Sequence, residues 1–546
     1  MTEQKLIEKG YFARELPPQF VTYPLANNLT LVKSTWSTTL SRLNKTRKSF
    51  FAETKSTIFN IPKVGFSRRV ISIPNPIHQV SLVETIINRW GEIEMIINKS
   101  NSSFSKPKED IEDIRAYVTE HSFSSFKRSR FINSFDNYHQ IKSDISKFYS
   151  SIYTHSIPWI IHTKHIAKAN RTDFTLLGNL LDKILRSGNS GQTIGVPIGP
   201  DTSLIIAEII NCEIDNILQN KFTSNNIKFF RFIDDIYIYC DSYTEIEKAF
   251  KFYQKTLSEY QLDINEEKTE ISKTPFVFDS IWSIELGNFK FRNHPKSQIT
   301  DLERFTSLSF DFAIKNPKDS VLLFSIQVLK GISLYDENWN FYESVILKVL
   351  LTEPRTFDVI AQILCSNKSR VNKSKLKGVL TKIIENHIAK GHNFEITWAL
   401  TLCKEFDLKL KNTTAKLIFE SNDFISIIVA LDLKNIGLIN STVDTSFLEA
   451  ELIEDNLINE FWLFAYESTY KGWLSSPTNI LETSEYFKIL KDNNIYFYDE
   501  TAKVSTFNAI PANKIENEDK EIEYETAKQI FISSMGSGSG GIGGGY

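Results

Sequence analysis

The spacing of apolar residues divides the chain into two parts. Up to about residue 300, short runs rich in β-branched and aromatic residues alternate with helical stretches and turn residues, as in SRRVISIPNPI and FFRFIDDIYIYC. From there to about residue 510, apolar positions recur at helical spacing in successive amphipathic segments such as YESVILKVLL and FEITWALTLCKEF. The pattern predicts an α+β domain over residues 1–300 and an all-α domain over residues 301–510.

The predicted helices follow one another as pairs, which is typical of HEAT-like stacking, although no strict repeated motif accompanies them. Beyond them lie a charged stretch, KIENEDKEIEYE, and a final SGSGGIGGGY. A segment so rich in glycine cannot form a packed element. We therefore expect residues 511–546 to be a charged linker and a flexible tail.

Bulk composition excludes several classes of protein. A chain of 546 residues with 41% apolar content can bury more than one core. No apolar run approaches the roughly 20 residues of a membrane helix, so we expect a soluble cytoplasmic protein without a membrane partner. The cysteines are far apart and form no CxxC pair, which argues against a disulfide framework and a structural zinc site; they are Cys212, Cys240, Cys365 and Cys403.

The net charge of −3 means that any surface for nucleic acid must be local. Two stretches, SRLNKTRKSFF and FKRSR, interleave basic residues with phenylalanine, whose ring can stack on bases. Either stretch is equally well explained as a solvated charged face.

The first candidate for chemistry is the pair Asp234 and Asp235. Strand-forming residues flank it on both sides, so the pattern predicts a hairpin with the aspartates at its tight, solvent-facing turn. Asp144, at the end of the short apolar strand in IKSDISKFYSSIY, is a second acidic candidate. An aspartate at a turn or a strand end is usually structural, so neither motif suffices alone.

Together the two motifs predict a metal site. Phosphoryl transfer to a 3′-hydroxyl uses two Mg²⁺ ions about 3.5–4 Å apart, held by carboxylates from separate elements. We therefore predict Asp144, Asp234 and Asp235 as catalytic residues and ligands of two Mg²⁺ ions.

The order of motifs resembles that of the reverse transcriptases. In that family an aspartate followed at five residues by an aromatic precedes a (F/Y)-x-D-D hairpin, here Asp144 with Tyr149 and then FIDD. GVPIGPDTSLIIAEIINCEID between them resembles the G-x-P-x-G-P segment, and LDINEEKTEI after them resembles the L-x-x-N-x-x-K-T element. The resemblance implies fingers and palm in this half of the chain.

The resemblance also implies roles for further residues. Arg68 or Arg69, in the fingers segment, would meet the incoming triphosphate, and Tyr149 would exclude a ribose 2′-hydroxyl. Lys268 would contact the nucleotide and could be a general acid for pyrophosphate, although a surface lysine is an equal reading. One departure concerns the template: the family commonly has glutamine where this chain has Ile198.

Flanking segments such as KGYFARELPPQF and HNFEITWALTL resemble bacterial antiphage reverse transcriptases, including the abortive-infection AbiK group. That resemblance implies helical repeats in place of a conventional thumb and a role in phage defence. The partners it implies are dNTPs, product DNA and RNA, which could be a dedicated noncoding RNA. A homo-oligomer is left open. Some of these enzymes start DNA on a protein hydroxyl, which makes Tyr546, at the end of the glycine-rich tail, a candidate priming residue.

Two rival functions stay open. One is a polymerase that accepts ribonucleotides, which an incorporation assay would distinguish. The other is a noncatalytic RNA-binding scaffold that recruits an effector, against which the intact acidic constellation argues, because buried like charges are costly without cations. The histidines His155, His162 and His165 suggest packing or solvation rather than metal binding, since no further ligand completes a set nearby.

Overall fold

The computed structural model describes residues 2–45, 52–65, 67–223 and 227–507, with side chains described outside 38–45. The strands are β1 (Thr57–Pro62), β2 (Arg68–Ile73), β3 (Pro107–Glu109), β4 (Tyr117–Thr119), β5 (His139–Asp144), β6 (Lys228–Phe232), β7 (Asp235–Cys240) and β8 (Glu270–Lys273). The helices up to β8 are α1 (Glu3–Glu8), α2 (Tyr23–Asn27), α3 (Leu29–Lys45), α4 (Pro76–Asn88), α5 (Trp90–Ile97), α6 (Phe123–Asn133), α7 (Phe148–Ser151), α8 (Ser156–His162), α9 (Lys164–Ala169), α10 (Leu177–Ser187), α11 (Asp201–Phe222) and α12 (Tyr243–Glu259).

After β8 the described chain is helical. Its α-helices are α13 (Ile281–Gly287), α14 (Pro295–Lys315), α15 (Val321–Lys330), α16 (Trp339–Thr352), α17 (Phe357–Ser366), α18 (Lys373–Ile388), α19 (Asn393–Glu405), α20 (Asn412–Phe419), α21 (Phe424–Asn435), α22 (Trp462–Tyr470), α23 (Ile480–Thr483) and α24 (Lys488–Asp492). Short 3-10 segments include Glu266–Lys268. Helices close in sequence pack on each other, for example α18 on α19 and α19 on α21. The predicted α+β class with a helical second half is confirmed.

A four-stranded antiparallel sheet in the order β6-β7-β5-β8 forms the centre of the first half. Helix α12 packs against β5 and β7, and α11 packs against α12. Strand β7 is buried at nearly every position, which fits its continuous run of β-branched and aromatic residues. The interior strands β5 and β7 are thus fixed on both sides, and their ends are held in register.

A separate antiparallel hairpin, β1–β2, lies against the helical half. The apolar side of β1 faces α19, where the rings of Phe59 and Phe394 lie 6.0 Å apart between centroids. Gly65, in the turn between the strands, has a φ of +72°, a conformation that glycine adopts without steric cost. The hairpin therefore depends on the helical half for its support.

The two halves share one hydrophobic core that extends from Leu6 to Val504. Phe20 forms an antiparallel bridge with Tyr498, so the N-terminal segment pairs with the end of the helical half. The boundary predicted at residue 300 falls inside α14, whose buried residues lie on both sides of it, Gln298 before and Leu302 and Phe305 after. Among the described residues, no helix is long and apolar enough to cross a membrane, and the four cysteines are free. The segment predicted as linker and tail, 511–546, lies outside the described residues.

Candidate active site

Asp144 and Asp235 face each other on neighbouring strands. Asp144 is the last residue of β5 and Asp235 the first of β7, and the antiparallel register pairs them directly. Residues paired across two strands have Cβ atoms roughly 4.5–5.5 Å apart, which brings two carboxylates to one end of the sheet. The predicted juxtaposition of the two motifs is therefore present.

The turn that carries Asp234 is held in a strained conformation. Ile233, the residue before it, has a φ of +54°, which is rare for a β-branched side chain and costs on the order of 1–3 kcal/mol. The surroundings secure this backbone: the Ile233 N–H donates to Ser105 Oγ at 2.7 Å, and its carbonyl accepts from Asn211 Nδ2 at 3.0 Å. The position of Asp234 is thus determined by contacts outside its hairpin.

A buried ion network supports the same turn. Arg231 on β6 donates to Glu208 Oε1 and to Asp215 Oδ2, both at 2.8 Å, and to the Ile233 carbonyl at 2.8 Å. Burial works against the charge of the guanidinium, but the two carboxylates outweigh it and raise the pKa of Arg231 well above its usual range. Because Glu208 and Asp215 belong to α11, the network fastens the hairpin to that helix.

The carboxylates are less accessible than the sequence predicts. Asp144 and Asp234 are each 2% exposed, so the prediction of a solvent-facing hairpin tip is wrong. The reason is that the turn packs against Ser105 and Asn211 instead of projecting into solvent. Burial raises the pKa of the half-buried Asp235 to about 6; Lys142 acts against this rise and Asp144 adds to it.

Lys268 forms an ion pair with Asp144. The segment around it is fastened to the end of β5, since the Asn265 N–H donates to the Asp144 carbonyl at 2.8 Å. Lys268 Nζ then lies 2.6 Å from Asp144 Oδ2. Burial opposes the ammonium charge, but this bond outweighs it and raises the pKa of Lys268. Lys268, a predicted nucleotide contact, therefore lies beside Asp144, a predicted metal ligand.

The donor set suits a divalent cation. Asp144 Oδ1 is buried and makes no hydrogen bond to any part of the chain that the structure describes. A buried carboxylate oxygen without a hydrogen bond costs free energy unless a cation binds to it. Within the described ranges, however, the three aspartates do not bring three ligand oxygens within 4.8 Å of one another. Hard oxygen donors of this kind bind ions such as Mg²⁺.

The adjacent arginines have different environments. Burial lowers the pKa of Arg69, and the nearby groups Glu15, Asp234 and Tyr149 act against that lowering. Arg68 instead donates to both oxygens of Glu395, at 2.5 and 2.7 Å, in the helical half. Successive residues of a strand point to opposite faces, so only one arginine can face the carboxylates. Of the two predicted triphosphate contacts, Arg69 remains the candidate, and Arg68 is corrected to an ion-pair partner of Glu395.

Lys63 is a cation of the site that the sequence reasoning missed. Burial lowers its pKa, with Arg69 and Lys268 adding to that effect and Asp234 and Asp144 opposing it. Lys63 lies on the β1–β2 turn, and no motif in the sequence around it indicates a functional role. Three cations thus share one electrostatic neighbourhood with the aspartates.

Tyr149 lies beside the loop that contains GVPIGP. Its carbonyl accepts from the Val196 N–H at 2.8 Å, and burial, with Asp234 adding to it, raises the pKa of its hydroxyl. In the same loop the Ile198 carbonyl accepts from the Ser72 N–H of β2 at 2.9 Å. This loop therefore connects the β1–β2 hairpin to the tyrosine.

The predicted histidines make local contacts. His155 Nδ1 lies 3.0 Å from Asp182 Oδ2, and His162 Nε2 accepts from the Gly178 N–H at 3.0 Å. His165 is exposed. Tyr546, the predicted priming residue, lies outside the described residues.

The comparison with protein families concerns the first half of the chain. Residues 61–284 match the family model described as "Reverse transcriptase (RNA-dependent DNA polymerase)". No curated protein sequence matches the chain.

Among solved structures, distant likenesses include three telomerase structures from two Candida species. Apo telomerase from Candida tropicalis is 14% identical, with 69% of this chain and 71% of that chain covered and a TM-score of 0.31. The same enzyme truncated from its C-terminal domain is 15% identical, with 41% and 51% covered and a TM-score of 0.29, so this chain spans about half of it. Telomerase from Candida albicans in complex with a TWJ fragment of telomeric RNA is 14% identical, with 69% and 64% covered and a TM-score of 0.29.

At such identities and TM-scores, no property of the telomerases is transferred to this chain. The family match covers the aspartates, Lys63, Arg69, Tyr149 and Lys268. Residues 61–284 thus resemble a reverse-transcriptase domain, a family whose described activity is RNA-dependent DNA polymerisation.

Proposed function

We propose that this chain is a reverse-transcriptase-type DNA polymerase that acts in antiphage defence by two-metal nucleotidyl transfer. The observation that carries the polymerase part is the pairing of Asp144 with Asp235 at one end of the sheet, with Asp234 in the adjoining turn. The defence part is supported only by the resemblance of the flanking segments to antiphage enzymes.

Asp144, Asp234 and Asp235 would hold two Mg²⁺ ions, which fits the buried Asp144 Oδ1 that lacks a hydrogen bond within the described chain. Bound there, the ions would stabilise the charge that develops on the attacking and leaving oxygens of the displacement. A cation bound nearby would lower the raised pKa of the half-buried Asp235 and favour its charged form.

The remaining side chains would orient the nucleotide. Arg69 and Lys63 offer charged donors to the phosphates, and their shared neighbourhood with Asp234 supports that role. Lys268 holds a proton beside Asp144 and could pass it to the departing pyrophosphate. Tyr149 would lie under the sugar and leave no room for a 2′-hydroxyl.

The partners would be dNTPs, product DNA and RNA, and the template is either RNA or absent. Ile198 bears on this choice, because its half-buried apolar side chain offers no hydrogen bond to a template base. Its carbonyl is already engaged by β2. Sequencing the nucleic acid that copurifies with the full chain distinguishes a copied RNA, such as a dedicated noncoding RNA, from untemplated sequence.

The polymerase proposal is tested with Asp144→Asn and Asp234→Asn. Each should reduce dNTP incorporation in Mg²⁺ by at least about a hundredfold, because removing a catalytic metal ligand removes transition-state stabilisation of several kcal/mol. Asp241→Asn is the matched control, since it changes an exposed aspartate beyond the other end of β7. Incorporation retained by both site variants would refute the assignment.

The rival functions predict other results. A noncatalytic scaffold would show no incorporation in wild type, yet it would still protect cells against phage in an Asp234→Asn variant. A polymerase that accepts ribonucleotides would incorporate NTPs without mutation. Loss of both incorporation and protection in Asp234→Asn, with both retained in Asp241→Asn, supports the proposal as stated.

Priming from a protein hydroxyl is part of the proposal, with Tyr546 as the candidate. Tyr11, another tyrosine near the motifs, is buried and donates to the Pro74 carbonyl at 2.5 Å, which argues against it as a primer. Mass spectrometry of nuclease-treated protein should find a nucleotide adduct that Tyr546→Phe abolishes. An unmodified protein that extends only added oligonucleotides would exclude protein priming.

A further inference from the structure

A pair of histidines and a glutamate meet where α18 turns back into α19. The turn is built by Gly391, whose φ of +63° suits glycine, with the N–H groups of Lys390 and His392 both 3.2 Å from the His387 carbonyl. The turn therefore places His392 next to His387. Glu395 follows in the first turn of α19, where a helix N-terminus favours a carboxylate.

The three side chains direct their ligand atoms at one point. The two Nδ1 atoms lie 2.8 Å apart, and Glu395 Oε1 lies 3.7 Å from His387 Nδ1 and 3.8 Å from His392 Nδ1. In a tetrahedral zinc site with bonds of about 2.0–2.1 Å, neighbouring ligand atoms are about 3.3 Å apart. The observed separations lie on both sides of that value.

We propose that His387, His392 and Glu395 form a binding site for a zinc-type transition metal, and that occupancy of this site competes with the ion pair between Arg68 and Glu395. Two imidazoles and one carboxylate are a common three-ligand set for zinc and leave a fourth position for water. The Mg²⁺ sites proposed above consist of oxygen donors alone, so the two sites differ in metal preference.

The glutamate of the site is buried, whereas its two histidines are partly exposed to solvent. The Glu395 side chain is 1% exposed, whereas those of His387 and His392 are 16% and 25% exposed. Asn60 of β1 fixes the turn, since its backbone N–H donates to Asn393 Oδ1 at 2.7 Å and its side-chain amide donates to the Gly391 carbonyl at 2.6 Å. Such hydrogen bonds around a ligand loop orient the ligands before metal arrives.

Competition with Arg68 follows from the charge and geometry of Glu395. The guanidinium donates to both oxygens of that carboxylate, including Oε1, which points towards the histidines. A dication bound at Oε1 would be repelled by Arg68 and would weaken its hold on Glu395. Because Arg68 belongs to β2, metal binding would loosen the contact between the β1–β2 hairpin and the helical half.

The test measures binding of Zn²⁺ and of Co²⁺, as a spectroscopic probe, to the full chain in excess Mg²⁺. We expect one equivalent to bind, with cobalt bands typical of tetrahedral nitrogen and oxygen ligation. His387→Ala and His392→Ala should each weaken binding by more than about tenfold. His165→Ala, at an exposed histidine outside the cluster, is the matched control.

Arg68→Ala gives the decisive second measurement, because a purely structural cluster would not respond to it. Removal of the competing cation should tighten Zn²⁺ binding several-fold, and thermal melting of each variant checks that it folds. The absence of stoichiometric binding in wild type, or binding unchanged in both histidine variants, would overturn the metal site. Unchanged or weaker binding in Arg68→Ala would overturn the competition. Neither result depends on polymerase activity, so the proposed function is tested separately.

Discussion

Tyr149 is the residue on which sugar selection is expected to depend. Its backbone is bound to the Val196 N–H and its side chain lies near Asp234 and Arg69. We predict that Tyr149→Val admits ribonucleotides, because a smaller side chain leaves space for the 2′-hydroxyl. The ratio of NTP to dNTP incorporation should rise at least about tenfold, which corresponds to roughly 1.4 kcal/mol.

Tyr153→Phe, which retains an aromatic ring at a neighbouring tyrosine, is the control for this measurement. If wild type and Tyr149→Val reject NTPs equally well, then Tyr149 does not select the sugar.

The cations of the β1–β2 hairpin give a second prediction at the scale of the residue. Arg69→Ala should raise the KM for dNTPs by roughly tenfold to a hundredfold, because a charge-assisted hydrogen bond contributes on the order of 1.5–3 kcal/mol. Steady-state kinetics measures this change. Lys55→Ala, a basic residue beside the hairpin that pairs with Glu460 at 3.2 Å, should leave KM unchanged. A KM unchanged in Arg69→Ala would place the triphosphate elsewhere.

At the scale of the element, the turn of the β6–β7 hairpin depends on α11. Arg231→Met leaves Glu208 and Asp215 as two buried carboxylates without their shared partner. Breaking a buried ion network in this way costs about 3–5 kcal/mol. We therefore predict a clear fall in the urea midpoint of Arg231→Met.

Adding Glu208→Gln and Asp215→Asn to Arg231→Met should recover part of that loss, because no unpaired charge remains buried. Equal midpoints for the single and the triple variant would contradict an electrostatic origin and point to packing instead.

Sequence patterns located the elements of the site better than its supporting contacts. The strand end at Asp144 and the hairpin turn at Asp234 were predicted, since both follow from local alternation and turn chemistry. Alternation also implies that only one of Arg68 and Arg69 faces the aspartates, but which one depends on Glu395, 327 residues away. Likewise, the burial of Asp234 results from Ser105 and Asn211, which no local pattern connects to it.

At the scale of the whole molecule, Glu467 makes stability depend on pH. It is fully buried on α22, accepts from the Phe497 N–H at 2.5 Å, and its Oε2 has no hydrogen bond within the described chain. Burial raises its pKa to about 8, against the lowering effect of the Phe497 N–H. The folded protein therefore binds one proton more than the unfolded chain between pH about 4.5 and 8.

A raised carboxyl pKa means that stability falls as pH rises through this window, by at most about 1.4 kcal/mol per pH unit. Glu467→Gln imitates the protonated form, so its free energy of unfolding should exceed that of wild type by an amount that grows from pH 5 to pH 8. Denaturation curves at several pH values measure the difference, and Glu420→Gln, at an exposed glutamate, should show none. A difference independent of pH would contradict the assignment.

The length and periodicity of the chain suggested two domains, and within the described residues the two halves share one hydrophobic core. Apolar periodicity changes near residue 300, but periodicity reports which elements form and not which of them pack together. Leu6 and Val504 belong to one cluster because the end of the helical half returns to the N-terminal segment.

The ion pair between Arg68 and Glu395 has a consequence for the order of events during synthesis. The four-stranded sheet is complete once β8 has left the ribosome, whereas the support of the β1–β2 hairpin arrives only with α19. At about 5–20 residues per second, the roughly 120 residues from the end of β8 to Glu395 take about 6–24 s to make. For that interval a nascent chain carries its aspartates on a complete sheet while the β1–β2 hairpin, which bears Arg69, still lacks its support from α19.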